Sequence, residues 1–219
     1  MHRSFPYHKP AAATSSSKPV SVDYRLAPEH PYPAAINDCL SAARWLIEHA
    51  QREFGTSWLS IGGESAGAHL AASTLLRLRD AGEVSAYSAA SLMYGCFDLS
   101  LTPSARASAG TPFIDRASVQ AFADGFLGEV DPRSAAASTL YADLSGLPPA
   151  LFTVGTIDPL VDDSLFLHQR WQAAGNSSEL TVYPGGVHGF NAFESELALS
   201  ANQRIASFLL KARGDSTSV

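Results

Sequence analysis

The stretch Gly63-Glu64-Ser65-Ala66-Gly67 closes an apolar run and opens a helical one, AGAHLAASTLLRLRDAG. A serine on a sharp strand-to-helix bend is presented for attack, but its hydroxyl is inert near neutral pH without help. It needs a base to take its proton, an acid to orient that base, and N–H groups to hold a developing oxyanion. Asp158, in GTIDPLVDDS, and His188, in PGGVHGF, are side chains of the required types. Imidazole can take the hydroxyl proton and return it to a leaving group, while a carboxylate fixes its tautomer. The start of the helix offers the Ala66 N–H to an anion beside Ser65, and Gly63 and Gly67 allow backbone to approach closely at the bend.

Each of these residues also has an ordinary structural use. The elbow reads equally as a tightly packed Gly-rich turn, and His188 as a plain loop histidine. Asp158 could cap the helix that follows, as could Asp162 or Asp163. A phosphate loop is a poor rival, because no Gly-Lys-Ser/Thr follows the glycines. Placement is what favours chemistry. Short β-branched or apolar runs at 19–25, 57–63, 89–97, 150–156 and 179–185 read as strands. Helical spacing fills 36–54, which Gly55 is placed to stop, and 66–82, 163–175 and 195–212. Such alternation predicts an α/β fold, a mostly parallel sheet with helices on both faces and functional residues in loops at the carboxyl ends of the strands. Ser65, Asp158 and His188 each follow a strand, so all three emerge from one edge of the sheet. His49 and His168 fall inside helical patterns, on faces or in packing. Residues 99–149, rich in Ser, Ala, Pro and Gly with a helical piece near SVQAFADGFL, interrupt the alternation and read as a small cap insertion over those loops.

At 219 residues the chain suits one domain with a substantial core. A net charge of −6 without a dense Lys/Arg cluster argues against nucleic acid or an anionic membrane as partner, and no apolar run is long enough to span a bilayer. Cys39 and Cys96 sit in apolar contexts without metal spacing and read as two buried thiols, so neither a metal nor a cofactor is expected. The opening MHRSFPYHKPAAATSSSKP lacks the apolar stretch of a secretory leader, which points to the cytoplasm, and reads as a frayed helix followed by a Ser-rich turn. The ending GDSTSV reads as a mobile tail, although a terminal Thr217-Ser218-Val219 could also add a strand to a peptide-binding domain.

Taken together, VDYRLAPEHPYPAA, GESAGAHLA, DPLVDD and HGF resemble the hormone-sensitive-lipase family of α/β-hydrolase carboxylesterases, over about residues 18 to 212. The resemblance implies that Ser65 is the nucleophile, Asp158 the acid and His188 the base, acting on small acyl esters. It implies that residues 24–35 form a turn and helix start beneath the site, with Arg25 and Glu29 as scaffold ion-pair partners. It also suggests a homodimer built on the edge strand 179–183 and the last helix. Two features depart from the family. Glu64 stands where many relatives carry Asp, and the His-Gly-Gly-Gly loop that forms most of the oxyanion hole has no counterpart between Met1 and Asp23. In the family a further strand lies between the VDYR strand and the nucleophile strand. The expectation is therefore an α/β-hydrolase fold that is N-terminally incomplete, with the Ala66 N–H as its identifiable oxyanion donor and low esterase activity. The alternative is a non-catalytic remnant that binds a small molecule.

Overall fold

In the computed structural model residues 18–214 are described. The expected frayed helix and Ser-rich turn at the start, and the expected mobile, strand-adding tail, lie outside the described residues. Four of the apolar runs pair into one parallel sheet: β1 (Leu59–Glu64), β2 (Tyr87–Met93), β3 (Ala150–Gly155) and β4 (Ser178–Tyr183), in the order β1-β2-β3-β4. Six helices accompany them: α1 (Ala34–Phe54), α2 (Ala66–Asp80), α3 (Pro103–Ala107), α4 (Arg116–Leu127), α5 (Val161–Ala173) and α6 (Glu196–Arg213). The left-handed Gly55 stops α1 at φ 73°, where the sequence places that stop.

Parallel neighbours taken in chain order each need a crossover, and right-handed crossovers in one direction fall on one face of the sheet. That face carries a core in which Ala43 of α1, Leu75 and Leu78 of α2, and Leu167 and Trp171 of α5 meet Leu92 and Phe152 of the sheet. α6 covers the other face, where Ala201, Ile205 and Phe208 pack on Ala89, Met93 and Leu151. Adjacent strand residues such as Leu92 and Met93 thus serve opposite cores. This is why the strands are apolar throughout rather than alternating.

The run at 19–25 forms no strand among the described residues. Propensity alone cannot make a strand, because each of its hydrogen bonds needs a neighbour. β1, at that end of the sheet, pairs with β2 alone. Arg25 is instead tied to α1: its guanidinium meets Asp38 at 2.7 Å and its backbone N–H donates to the same carboxylate at 2.9 Å. β2 ends at Met93 rather than at Phe97, because Tyr94 turns away at φ 35°. Cys39 and Cys96 are free thiols, half-buried rather than fully buried as expected.

Residues 99–149 hold α3, α4 and a short 3-10 turn, and return to the sheet through Leu140, Ala142, Leu144 and Leu147. Two aspartates, Asp163 buried and Asp162 half-buried, fasten this excursion at its root. The Asp163 carboxylate accepts the N–H groups of Phe97 and Asp98 at 2.7 and 2.8 Å and the Thr102 hydroxyl at 2.6 Å. Asp162, beside it, accepts the Ser104 N–H at 2.8 Å.

Candidate active site

β1 runs directly into α2 with Ser65 between them, at φ 53° and ψ −119°. A non-glycine residue at positive φ is strained, and surrounding contacts have to hold it there. One is the Ser65 N–H, which extends the ladder by donating to the Met93 carbonyl at 2.9 Å. The other is the near-contact of Gly63 with the first turn of α2, where an added Cβ would lie 2.3 Å from the Gly67 carbonyl carbon. Gly67 itself has open space where a Cβ would stand, so the close approach expected of both glycines is required only at Gly63. Ala66 is exposed at the first position of α2, where the helix supplies no carbonyl for its N–H.

Asp158 and His188 follow the ends of β3 and β4, and their two loops are clamped together by glycines. A Cβ on Gly155 would fall 2.1 Å from the Gly186 carbonyl oxygen. The Ile157 N–H donates to that same oxygen at 2.9 Å, and the Gly185 N–H donates to Thr156 Oγ1 at 2.9 Å. From sequence Gly155 falls within the strand 150–156 and Gly186 just past the strand 179–185, with nothing to mark their contact, because the loop each one meets is distant in the chain. The clamp brings His188 between the other two predicted residues: Nδ1 lies 2.9 Å from Asp158 Oδ2 and Nε2 lies 2.9 Å from Ser65 Oγ. An ionised carboxylate only accepts, so Nδ1 of a neutral ring must carry the hydrogen, and Nε2 is left to accept from the serine hydroxyl. The Asp158 side chain is fully buried, and its second oxygen accepts the Leu160 N–H at 2.9 Å. That second contact is a local turn ahead of α5, whose N-cap residue Leu160 has no side-chain cap, so of the two uses weighed from sequence Asp158 has the one toward the histidine and not the helix cap. Among the described residues no group of His, Cys, Asp and Glu could hold a metal ion.

Three neighbours were missed by sequence reasoning. The ring of Tyr94 lies edge-on to that of His188, with centroids 4.7 Å apart and planes at 61°. Its hydroxyl lies 2.9 Å from Glu64 Oε2 and 2.6 Å from Asn191 Oδ1, and Asn191 Nδ2 donates to Glu64 Oε1 at 2.8 Å. Burial first, then the Glu64 carboxylate, keeps the Tyr94 hydroxyl protonated far above the usual phenol range. His69, one helical turn past Ser65, meets the ring of Phe126 from α4 at 5.6 Å. Burial pushes its pKa down to about 4. His49 and His168 have the packing uses expected of them: His49 stacks on Trp45 at 4.8 Å, and His168 Nδ1 meets Ser178 Oγ at 2.9 Å.

Comparison with known proteins places the chain in a family. Residues 6–192 match the alpha/beta hydrolase fold family. The carboxylesterase NlhH of Mycobacterium tuberculosis is 39% identical over 189 residues, covering 80% of this chain and 56% of that protein. The esterase of Pyrobaculum calidifontis superposes with a TM-score of 0.82 at 32% identity, over 87% of this chain and 64% of that one. A bacterial esterase described as of the hormone-sensitive lipase family superposes with a TM-score of 0.77 at 36% identity, again over 87% of this chain and 64% of that one. The chain spans little more than half the length of the first curated relatives it matches, 55% of the esterase LipI and 56% of NlhH. With a parallel sheet, a serine at the strand-to-helix elbow and this overlap with known esterases, the chain belongs to the α/β-hydrolase fold family, on its hormone-sensitive-lipase branch.

Proposed function

We propose that this chain is a serine carboxylesterase that cleaves small acyl esters through an acyl-enzyme. The observation that carries this reading is the His188 ring, 2.9 Å from Ser65 Oγ on one side and 2.9 Å from Asp158 on the other. Ser65 Oγ attacks the ester carbonyl carbon as Nε2 takes its proton, and the carbonyl oxygen becomes an alkoxide. The Ala66 N–H donates to that oxygen. Asp158 stabilises the imidazolium, which then protonates the departing alkoxide to release the alcohol. Water attacks the acyl-Ser65 ester by the same route, with Nε2 again as base, and the acid leaves.

Residues 99–149 serve as the cap in this reading. Support comes from Phe126, which packs on His69 beside the elbow, and from Phe113, whose ring meets Phe193 in the loop after His188 at 5.3 Å. The 219 residues contain no His-Gly-Gly-Gly run, so turnover is expected to be slow. Loss of one oxyanion donor typically costs ~100- to 1000-fold. An organophosphonate probe and a burst assay with a short-chain aryl ester test the assignment. The expected result is covalent labelling of Ser65 and a burst of alcohol, both abolished by Ser65→Ala. A folded chain that takes no label is instead a non-catalytic binding module.

A further inference from the structure

Glu64, Tyr94 and Asn191 close a ring of polar contacts that no step of the proposed chemistry uses. Glu64 ends β1 just before Ser65, Tyr94 follows the end of β2, and Asn191 lies in the 3-10 turn Phe190–Ala192 that follows His188. The ring thus joins the elbow to the histidine loop across the carboxyl ends of the strands. Its far side is held by α6, where Asn202 Nδ2 donates to the Asn191 carbonyl at 3.1 Å. Tyr94 is only 2% exposed, and its ring is the surface on which the imidazole rests.

The hydrogens of this ring can be counted. Asn191 Nδ2 donates to Glu64 Oε1, while the single Tyr94 O–H faces two acceptors, Glu64 Oε2 and Asn191 Oδ1. An ionised carboxylate contributes no hydrogen, so three contacts share two. An amide at position 64 would supply the third. Its N–H would donate to the Tyr94 oxygen, the Tyr94 O–H to Asn191 Oδ1, and Asn191 Nδ2 to the new amide oxygen. The geometry at 64 therefore suits a planar, forked side chain of this length, whether or not it is charged.

We propose that Glu64, Tyr94 and Asn191 are positioning residues that hold the His188 imidazole in line with Ser65, and that they act through their hydrogen-bonded shape rather than through the Glu64 charge. This rests on the serine-esterase reading above. His188 must meet two partners at once, and a displacement of about 1 Å at a reacting group can cost ~100-fold in rate.

The test is the rate of Ser65 labelling by an organophosphonate across probe concentrations, which separates the maximal rate from the half-saturating concentration. Tyr94→Phe keeps the ring under the imidazole and removes the hydroxyl, and Glu64→Ala removes the fork. Both should lower the maximal rate by about 10- to 100-fold, with half-saturation within about twofold of the parent. Glu64→Gln should rescue the loss to within about threefold of the parent, because the amide completes the ring. If Tyr94→Phe does not fold, as judged by circular dichroism, Asn191→Ala takes its place with the same expectation. Parental labelling in these deletions, or a Glu64→Gln variant as slow as Glu64→Ala, overturns the proposal while leaving the esterase reading intact. A parent that takes no probe overturns the esterase reading, and this proposal with it.

Discussion

A single methyl group at position 63 decides whether the elbow can form. Its Cβ would lie inside contact distance of the Gly67 carbonyl, which is backbone and has no rotamer with which to yield. Gly67→Ala meets open space, at a helix position where alanine is the better helix former. Gly63→Ala should therefore destabilise the fold by about 3 kcal/mol, and Gly67→Ala should change stability by less than ~1 kcal/mol, in either direction. Thermal denaturation of the two variants beside the parent checks this, and equal melting of all three would contradict the packing at the elbow. The motif marks both glycines alike. Only the position of the helix start separates the one that is sterically obligatory.

At the scale of elements, α5 does more than cross from β3 to β4. Its first turn carries Asp163, which holds the chain where it leaves β2 for residues 99–149. Asp163→Ala would strand the N–H groups of Phe97 and Asp98 without their acceptor, at about 1–3 kcal/mol for each buried group. Asp163→Asn keeps an oxygen for both. Urea denaturation should rank the alanine variant at least ~2 kcal/mol below the asparagine variant, and limited proteolysis should open its 99–116 stretch first. Had the two variants equal stability, the anchor would lie elsewhere. From DPLVDD alone the three aspartates compete for one capping role. In the structure Asp158, in the loop ahead of α5, reaches His188, while Asp162 reaches Ser104 and Asp163 reaches Phe97 and Asp98 beyond β2, because a helix's first turn points consecutive side chains in different directions.

For the whole molecule, two buried groups oppose each other as pH changes. Burial raises Asp163 from 3.8 to about 7 and lowers His69 from 6.5 to about 4. Between pH 4 and 6.5 the folded chain thus holds a proton on Asp163 that the unfolded chain has lost, so this group makes stability fall as pH rises. Over the same window the unfolded chain holds a proton on His69 that the folded chain lacks, so stability rises with pH. The slopes of these two groups should nearly cancel across that window, and His168, also lowered by burial, adds to the rise of stability with pH in the parent. Asp163→Asn should leave the His69 slope, with stability declining on acidification by up to ~1.4 kcal/mol per pH unit. His69→Leu should leave a slope of the opposite sign. Chemical denaturation at several pH values reads both, and flat profiles in the two variants would refute the buried titrations.

Sequence alone was enough for every helix of the described residues except α3 and for four of the strands, because helical spacing and short apolar runs are written in neighbouring residues. It also singled out Ser65, Asp158 and His188 as candidates, because their types and positions after strands are local properties. Tertiary structure decided everything that depends on a partner far along the chain. Ser65 and His188 are 123 residues apart and meet because the Gly155 and Gly186 backbones touch. Residues 19–25 have strand propensity yet form no strand, since no neighbour ladders with them. Tyr94 and Asn191 carry no motif, and their standing beside the histidine exists only once three strand ends are brought side by side.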